Sequence, residues 1–308
     1  MNLSDEKIWI AGHSGMVGQA LVRKLKTSEL LTVCRSKLDL RDREAVFDWI
    51  SENQPSVVFL AAAKVGGIKA NSENPVDFLL DNLKIQNNVI EAAACMGINK
   101  LIFLGSACTY PKQAVQPIKE TSFMNGVPET TNIWYATAKI AGVKLAQAYS
   151  KEKKLNSIVA MPTNTFGPYD NFDEHSNHVI PALMKRFEKA KYKGCEHLEI
   201  WGSGNPLREF LYVDDLADAL IFLAENYDSP EIINIGSGDE ISIFKLASIL
   251  SEITCFQGII KTDPTKPDGV MRKLLDSSKI QKLGWNSTTP LSAGLNEMYS
   301  WALDNNKL

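Results

Sequence analysis

Tyr135 and Lys139, four residues apart, form a pair of side chains suited to moving a proton. They fall in a segment with helical periodicity, so both should lie on one face of a helix. A lysine ammonium near a phenol lowers the phenol's pKa from about 10, which lets a tyrosine exchange a proton with a carbonyl or an alcohol near neutral pH. Because this spacing also arises by accident in helices, the pair indicates catalysis only together with further residues.

Ser106 is such a residue, because it follows the apolar segment 101–104. Open α/β sheets bind ligands at the carboxyl ends of their strands, so the Ser106 hydroxyl is expected beside the same substrate oxygen as Tyr135. Ser106, Tyr135 and Lys139 together predict proton transfer to or from an oxygen of a bound substrate.

A glycine turn lies between the apolar run 7–11 and the helical segment 19–25. Glycine there permits a tight turn and close approach of the backbone to a pyrophosphate, which the start of the helix attracts. The Gly-x-x-Gly-x-x-Gly spacing differs slightly from the usual dinucleotide-binding pattern, and a structural turn without a ligand remains an alternative. The predicted pyrophosphate-binding residues are Gly12, His13, Ser14, Gly15, Met16, Val17 and Gly18.

The end of the next strand distinguishes between the two nicotinamide cofactors. An acidic residue there would bind the ribose hydroxyls and repel a 2′-phosphate. This chain has Arg35 after Cys34, which favours NADP(H) with Arg35 facing the 2′-phosphate. Arg41 and Arg43 are candidates for the same role, and each of these arginines has the alternative of a solvated surface position.

The catalytic candidates need a scaffold, and the sequence predicts alternating strands and helices. Continuous apolar runs indicate strands that are buried on both faces, which is typical of a parallel sheet. We therefore predict a doubly wound, Rossmann-like α/β fold with a smaller α/β substrate-binding lobe. The predicted strands are 7–11, 31–34, 57–61, 101–104, 157–160 and 232–235, and the predicted helices include 43–52, 75–96, 134–153, 179–187 and 213–226.

The predicted domains are formed from separated parts of the chain, because the segment 232–235 should return to the first sheet. The NADP-binding domain is expected to comprise residues 1–163 and about 209–238. The lobe that binds the nucleotide sugar is expected to comprise about 164–208 and 239–308.

Composition excludes several classes of protein. With 308 residues, 44% hydrophobic and 22% charged, the chain is of ordinary globular composition, and its net charge of -3 provides no field for nucleic acid. No signal peptide and no run of about 18 apolar residues is visible, so we predict a cytoplasmic protein without membrane contact. Five widely spaced cysteines predict reduced thiols, and His175 and His178 lack a convincing further ligand, so no metal is predicted.

The glycine turn, Ser106, Tyr135 and Lys139, in this order, resemble the extended short-chain dehydrogenase/reductase family. Further stretches narrow the resemblance to members that make GDP-L-fucose; these are 61–68, 106–111, 161–164, 176–183, 201–204 with 208–210, and 266–269. The resemblance implies a bifunctional 3,5-epimerase and NADPH-dependent 4-reductase acting on GDP-4-keto-6-deoxy-D-mannose. It also implies a homodimer packed through the helices 75–96 and 134–153.

The resemblance also assigns roles to individual residues. Cys108 and His178 would move the protons at C3 and C5, and Tyr135 would protonate the oxygen at C4. The implied cofactor contacts, besides the glycine turn and Arg35, are Ala61, Ala62, Ala63, Lys139, Pro162, Thr163, Asn164, Thr165 and His178. The implied substrate contacts are Arg186, Trp201, Arg208, Asp268 and Lys273.

Without the resemblance these residues have ordinary structural interpretations. Cys108 would be a small buried apolar residue, His178 a capping or core histidine, Arg186 part of a solvated basic face, and Trp201 a core residue. Ser14 also departs from the family pattern, which often has a basic residue there, so the 2′-phosphate would rest mainly on Arg35 and backbone groups.

Two other functions use the same features. One is a C5-epimerase and C4-reductase of a related 3-deoxy GDP-sugar, which these motifs hardly distinguish from the first. The other is a non-catalytic NADP(H)-binding sensor, which would not need Ser106, Tyr135 and Lys139 together.

Overall fold

The computed structural model describes residues 1–25, 29–174, 176–266 and 268–308. Its strands are β1 (Lys7–Ala11), β2 (Glu29–Leu31), β3 (Val57–Leu60), β4 (Lys100–Leu104), β5 (Ser157–Pro162), β6 (Asn164–Phe166), β7 (His197–Trp201), β8 (Leu207–Tyr212), β9 (Ile233–Ile235), β10 (Glu240–Ser242), β11 (Ile259–Asp263) and β12 (Arg272–Lys273). Its α-helices are α1 (Met16–Lys24), α2 (Arg43–Asn53), α3 (Ile68–Glu73), α4 (Pro75–Cys95), α5 (Ile133–Lys151), α6 (Val179–Tyr192), α7 (Val213–Asn226), α8 (Ile243–Thr254), α9 (Ser278–Leu283) and α10 (Leu291–Asp304).

The central sheet has six parallel strands in the order β2-β1-β3-β4-β5-β9. Strand order reverses at β1, because β2 lies on one side of it and β3 on the other. A crevice opens at the carboxyl ends of strands where the order reverses, and ligands of open α/β sheets bind there. The predicted doubly wound α/β fold is confirmed.

Both faces of this sheet are covered by apolar side chains. Ile8 and Ile10 of β1 belong to a hydrophobic cluster that includes Leu21 of α1. Trp9, between them, belongs to a second cluster that includes Val89 of α4. Alternate residues of a strand point to opposite faces, so two clusters explain why the strand reads as a continuous apolar run.

The second predicted strand, 31–34, is misplaced, because β2 spans Glu29–Leu31 and its pairing with β1 ends at Leu31. The N–H groups of Lys37 and Leu38 bond to the carbonyl oxygen of Cys34, which turns the chain away from the sheet. The helices α2, α4 and α5 lie within two residues of their predicted ends, and α7 has the predicted bounds. The helix α6 begins where predicted but extends to Tyr192, five residues beyond its predicted end.

Two smaller sheets complete the structure. In one, β8 pairs antiparallel with β10 and parallel with β12 and β6; in the other, β7 and β11 pair in parallel. The predicted return of the chain is present, because β9 pairs with β5. One hydrophobic cluster extends from the central sheet to Phe187 of α6, Leu250 of α8 and Leu295 of α10. The two predicted lobes thus share a core, and their boundaries stay a prediction.

Within the described parts of the chain, no helix is long and apolar enough to cross a membrane.

Candidate active site

The turn after β1 contains two glycines that have no room for a side chain. Gly12 has φ +96°, and a Cβ there would lie 2.6 Å from the backbone nitrogen of Ala62. A Cβ on Gly18 would overlap the carbonyl oxygen of Gly12. Gly15 differs, because its nearest contact would be that same oxygen at 3.6 Å, an ordinary distance. Space beside Gly15 is therefore open at the start of α1.

This space fits a dinucleotide phosphate. Gly15 is the N-cap of α1, and no side chain in the described structure caps that helix, so its first N–H groups can face an anion. Ala61 continues from β3, and its N–H donates to the carbonyl oxygen of Ala11. The other predicted cofactor residues lie in the glycine turn and the start of α1, after β3, or at the end of β5 and the start of β6; these are His13, Ser14, Met16, Val17, Ala62, Ala63, Pro162, Thr163, Asn164 and Thr165.

The three arginines considered for the 2′-phosphate have different surroundings. Arg41 donates hydrogen bonds to both carboxylate oxygens of Asp39. Arg43 pairs with Glu91 at 2.8 Å. Arg35 is exposed in the loop after β2. Since the other two already bind carboxylates, Arg35 is the arginine best placed to meet an added phosphate.

Ser106, Tyr135 and Lys139 meet beyond the end of β4. Tyr135 and Lys139 are one turn apart on α5, and the ammonium of Lys139 lies 5.9 Å from the Tyr135 ring centre. The Ser106 hydroxyl lies near enough to the Tyr135 phenol to act on its pKa, which it lowers against larger opposing effects. Lys139 is buried and donates to the carbonyl oxygen of Leu104 at 2.8 Å. Burial lowers the pKa of Lys139 to about 7.

The lowering of the Tyr135 pKa by Lys139 stays a prediction, because other influences set the direction of the shift. Burial raises the pKa of Tyr135 above its usual value, the nearby Cys108 raises it further, and Ser106 lowers it only in part. Burial also weakens the positive charge on Lys139, which was expected to stabilise a phenolate. With a raised pKa, the Tyr135 phenol keeps its proton near neutral pH.

Cys108 lies in a single helical turn, Ala107–Thr109, that follows β4. Its N–H donates to the Ser106 hydroxyl oxygen at 3.2 Å. The Cys108 side chain is half-buried, and the ammonium of Lys273 on β12 lies 3.9 Å from its Sγ atom. Cys108 therefore has a cation beside its sulfur, and its surroundings are not those of a purely apolar core cysteine.

His178 stands at the N-cap of α6, but its side chain makes no capping hydrogen bond within the described structure. The imidazole is 45% exposed, and its Nδ1 lies 3.7 Å from Oδ1 of the buried Asp170. Asp170 raises the pKa of His178 above its ordinary value, against an opposing effect of burial. The sequence interpretation missed Asp170, because it lies in an irregular segment without a recognisable motif.

The loop after β3 contacts the segment that precedes His178. The N–H of Gly67 donates to the carbonyl oxygen of Ser176 at 2.9 Å. A Cβ on Gly67 would collide with the carbonyl oxygen of Asn177. Two of the sequence stretches that carry the resemblance, 61–68 and 176–183, therefore meet in space.

Three of the predicted substrate residues lie around β8. Arg208 on β8 is in register with Lys273 on β12, next to Cys108. Asp268 accepts hydrogen bonds from the backbone N–H and the hydroxyl of Ser203, at 2.6 and 2.8 Å. Asp268 therefore binds the loop after β7. Only the lone pairs of its carboxylate that these bonds leave unused can accept hydrogen bonds from a ligand.

The other two predicted substrate residues lie on β7 and α6. Trp201 ends β7 and is 68% exposed, so it does not fill the core. Arg186 donates to the carbonyl oxygen of Glu199 on β7, so it is not simply part of a solvated face. Pro267 in the stretch 266–269, and His175, considered as a metal ligand, lie outside the described residues. Among those described, no group of three or more His, Cys, Asp or Glu side chains could hold a metal ion.

A protein-family model described as "NAD dependent epimerase/dehydratase family" matches residues 8–236. The chain belongs to this family. Within the family it is 50% identical to GDP-L-fucose synthase 1 of Arabidopsis thaliana over 99% of this chain and 96% of the relative. It is 35% identical to GDP-L-colitose synthase of Yersinia pseudotuberculosis over 97% and 98%. The predicted resemblance to GDP-L-fucose synthase is confirmed.

Solved structures of the epimerase/dehydratase family have the same fold. A GDP-L-fucose synthetase from Naegleria fowleri bound to NADP has a TM-score of 0.91 and 30% identity, covering 100% of this chain and 96% of that one. A GDP-6-OMe-4-keto-L-xylo-heptose reductase from C. jejuni has a TM-score of 0.93 and 34% identity, covering 99% of each chain.

Proposed function

We propose that this protein is a GDP-L-fucose synthase, which epimerises GDP-4-keto-6-deoxy-D-mannose at C3 and C5 and reduces it at C4. The observation that carries the proposal is that a thiol with an adjacent ammonium, Cys108 with Lys273, lies next to Ser106 and close to Tyr135. One site thus holds a group for proton abstraction from carbon and a group for proton donation to oxygen. The relative from Arabidopsis thaliana with this name supports the proposal.

The predictions of an oxidoreductase of this class and of NADP(H) as its cofactor are confirmed by the relatives and by the NADP-bound neighbour. Bound NADPH supplies the hydride for C4. The glycine turn and the start of α1 would hold its pyrophosphate, and Arg35 would hold its 2′-phosphate. Lys139, which is buried beside Tyr135, would contact its ribose side.

Epimerisation needs a base and an acid on opposite faces of the sugar. The 4-keto group acidifies the C3 and C5 protons, and the Cys108 thiolate, beside the Lys273 ammonium, removes one and becomes a thiol. His178, as imidazolium, gives its Nε2 proton to the opposite face of the enolate carbon and becomes neutral. Exchange with water restores the thiolate and the imidazolium, so no proton is gained or lost.

Reduction needs a proton donor at the C4 oxygen. Tyr135 has this role, because its raised pKa keeps the phenol protonated until an oxyanion develops next to it. Ser106, which lies near the phenol, can bind the same oxygen. A non-catalytic NADP(H)-binding sensor would not need Ser106 and Tyr135 beside each other.

A GDP-sugar substrate agrees with the similarity to GDP-L-fucose synthases, and the particular 4-keto-6-deoxy sugar is part of the proposal. The 3-deoxy alternative has less support, because the colitose synthase is 35% identical to this chain whereas the fucose synthase of Arabidopsis thaliana is 50% identical.

Product analysis by nuclear magnetic resonance tests the proposal. The protein is incubated with NADPH and GDP-4-keto-6-deoxy-D-mannose in deuterated water. We expect GDP-L-fucose with deuterium at C3 and C5 and hydrogen at C4. The Tyr135→Phe variant should keep the exchange at C3 and C5 and lose reduction, whereas Cys108→Ser should lose the exchange. Deuterium at only one carbon, or NADPH binding without turnover, would contradict the proposal.

We also propose a cytoplasmic homodimer that packs through α4 and α5. Val76 and Leu80, one turn apart on α4, are 67% and 44% exposed, and Trp134 on α5 is 43% exposed. A two-fold axis between the helices would bury these apolar side chains against a second copy. Sedimentation at micromolar concentration should give a dimer for the wild type and a monomer for Leu80→Glu; a wild-type monomer would contradict the proposal.

Five free cysteines fit a reducing compartment.

A further inference from the structure

Asp170 is a buried carboxylate whose surroundings satisfy it only in part. It is 7% exposed, and its Oδ1 accepts the backbone N–H of Asn171 at 2.7 Å. Its Oδ2 is buried and has no hydrogen-bond partner in the described structure. Burying a carboxylate is costly unless a cation or further donors compensate it. The charged group that pairs with it is His178, whose Nδ1 lies 3.7 Å from Oδ1 of Asp170.

The fold holds Asp170 in place through a tight turn. The N–H of Asp170 donates to the carbonyl oxygen of Gly167 at 3.2 Å, and a Cβ on Gly167 would lie against Val213. Tyr169, between them, has a φ of +69°, which is uncommon for a bulky residue. Its ring packs on Trp301 of α10 with 4.8 Å between ring centres. The position of the Asp170 carboxylate is therefore set by the backbone of this turn.

His178 lies where its own helix disfavours a positive charge. The amino end of a helix carries the positive end of the helix dipole, which opposes an imidazolium at the N-cap. Asp170 outweighs this effect, because it raises the pKa of His178 above its ordinary value. Without that carboxylate nothing in the described surroundings would favour the protonated ring.

We propose that Asp170 is a positioning residue for His178: it receives the Nδ1–H of the imidazole, orients the ring, and leaves Nε2 to carry the proton that is donated. The pairing itself is a property of the structure, and its catalytic consequence rests on the proposed function. Asp170 touches neither substrate nor cofactor in this scheme.

The Asp170→Asn variant removes the charge and little else, because its amide oxygen can still accept the Asn171 N–H. The chain has four histidines, so the imidazole signals can be titrated by nuclear magnetic resonance and His178 assigned with a His178→Gln variant. We expect the pKa of His178 to fall in Asp170→Asn and to be unchanged in Asp48→Asn, an exposed control on α2. An unchanged His178 titration in Asp170→Asn would overturn the proposal. No substrate is needed.

A second measurement uses the wild type, in case Asp170→Asn does not fold. The nitrogen-15 shifts of neutral His178 report which ring nitrogen carries the hydrogen. The Nδ1–H tautomer is expected, and the Nε2–H tautomer would overturn the pairing.

The catalytic consequence is measured separately. If wild-type protein incorporates deuterium at C3 and C5, Asp170→Asn should do so about 10-fold to 100-fold more slowly, with a larger loss at high pH and an unchanged KM for NADPH. Incorporation at the wild-type rate at every pH would overturn the catalytic part. If the wild type incorporates none, the proposed function fails, and the two spectroscopic measurements still decide the pairing.

Discussion

At the scale of single residues, each proton-transfer group has a neighbour of the charge that its role requires. Cys108, proposed as the base, lies 3.9 Å from the ammonium of Lys273. His178, proposed as the acid, lies 3.7 Å from the carboxylate of Asp170. The carboxylate favours the imidazolium form of His178, and the ammonium stands beside the sulfur of the proposed base, which agrees with the roles that we propose for the two side chains.

Lys273→Met should make Cys108 a poorer nucleophile. The substitution removes the cation that contacts Sγ, so alkylation of Cys108 by iodoacetamide at pH 7.5 should slow by about 10-fold. The other four cysteines are exposed, so the modified residue has to be identified by mass spectrometry. Lys261→Met on β11, an exposed lysine, is the control. An unchanged alkylation rate in Lys273→Met would show that the contact has no effect on the thiol.

Lys139 should make stability depend on pH in the absence of cofactor. Its pKa is lowered from 10.5 to about 7 by burial, so between these values the unfolded chain binds a proton that the folded chain does not. The free energy of unfolding therefore rises with pH across this interval, by up to about 1.4 kcal/mol per pH unit. Urea unfolding at pH 6 and pH 9 should show wild-type protein gaining stability relative to Lys139→Met. If the free energy of unfolding changed equally with pH in the two proteins, the lowered pKa of Lys139 would be refuted.

At the scale of elements, the turn between β1 and α1 assigns different tasks to its glycines. Gly12 and Gly18 are required because backbone atoms occupy the place of a side chain. Gly15 has φ -80° and open space beside it, so the fold itself does not require glycine there. Its role is then to leave room for a ligand at the start of the helix.

Gly15→Ala and Gly18→Ala should therefore separate binding from folding. Gly15→Ala should leave the urea midpoint close to that of the wild type and weaken NADPH binding about 10-fold or more, because the methyl group occupies the phosphate space. Gly18→Ala should lower the urea midpoint, because its Cβ overlaps the Gly12 carbonyl oxygen. Calorimetric titration with NADPH measures the first effect. If Gly15→Ala bound NADPH as tightly as the wild type, the pyrophosphate could not bind beside Gly15 as proposed.

At the scale of the whole molecule, Glu209 connects the small sheet to the central one. It lies on β8 with 0% exposure, and its carboxylate accepts the N–H groups of Gly238, after β9, and Leu275, after β12. Its carbonyl oxygen accepts the side-chain amide of Asn164 on β6. Burial raises the pKa of Glu209, and these backbone donors offset part of the rise. One side chain thus joins segments from both predicted lobes.

Glu209→Ala should destabilise the protein by about 2–4 kcal/mol, because it leaves buried N–H groups without acceptors. Glu240 is a matched control, since it stands opposite Glu209 in the β10–β8 register but pairs with the half-exposed Arg272. Glu240→Ala should cost less than about 1 kcal/mol. Urea unfolding compares the two variants, and similar costs would show that Glu209 is not a structural link.

Much of the architecture follows from local pattern. The helix α4 and the strand β4 are long or strongly apolar, and their periodicity predicted them within two residues. The strand β2 was misplaced because it is a short edge strand with an exposed Glu29, and its end is set by a turn at Cys34 and not by its own apolar run. The small strands β10 and β12 depend on pairing with β8, so no local signal predicts them.

The amino-acid sequence by itself determined the local features of the site. Helix geometry places Tyr135 and Lys139 on one face, and steric exclusion at Gly12 and Gly18 builds the phosphate turn, because both depend on neighbours within a few residues.

The tertiary structure alone decided which charges act on which groups. Lys273 meets Cys108 across 165 positions of sequence, and Asp170 reaches His178 through a turn that α10 holds. Burial also raises the pKa of Tyr135 above its usual value. Desolvation and long-range charge depend on where all the segments lie once packed, and a linear pattern contains no such distances.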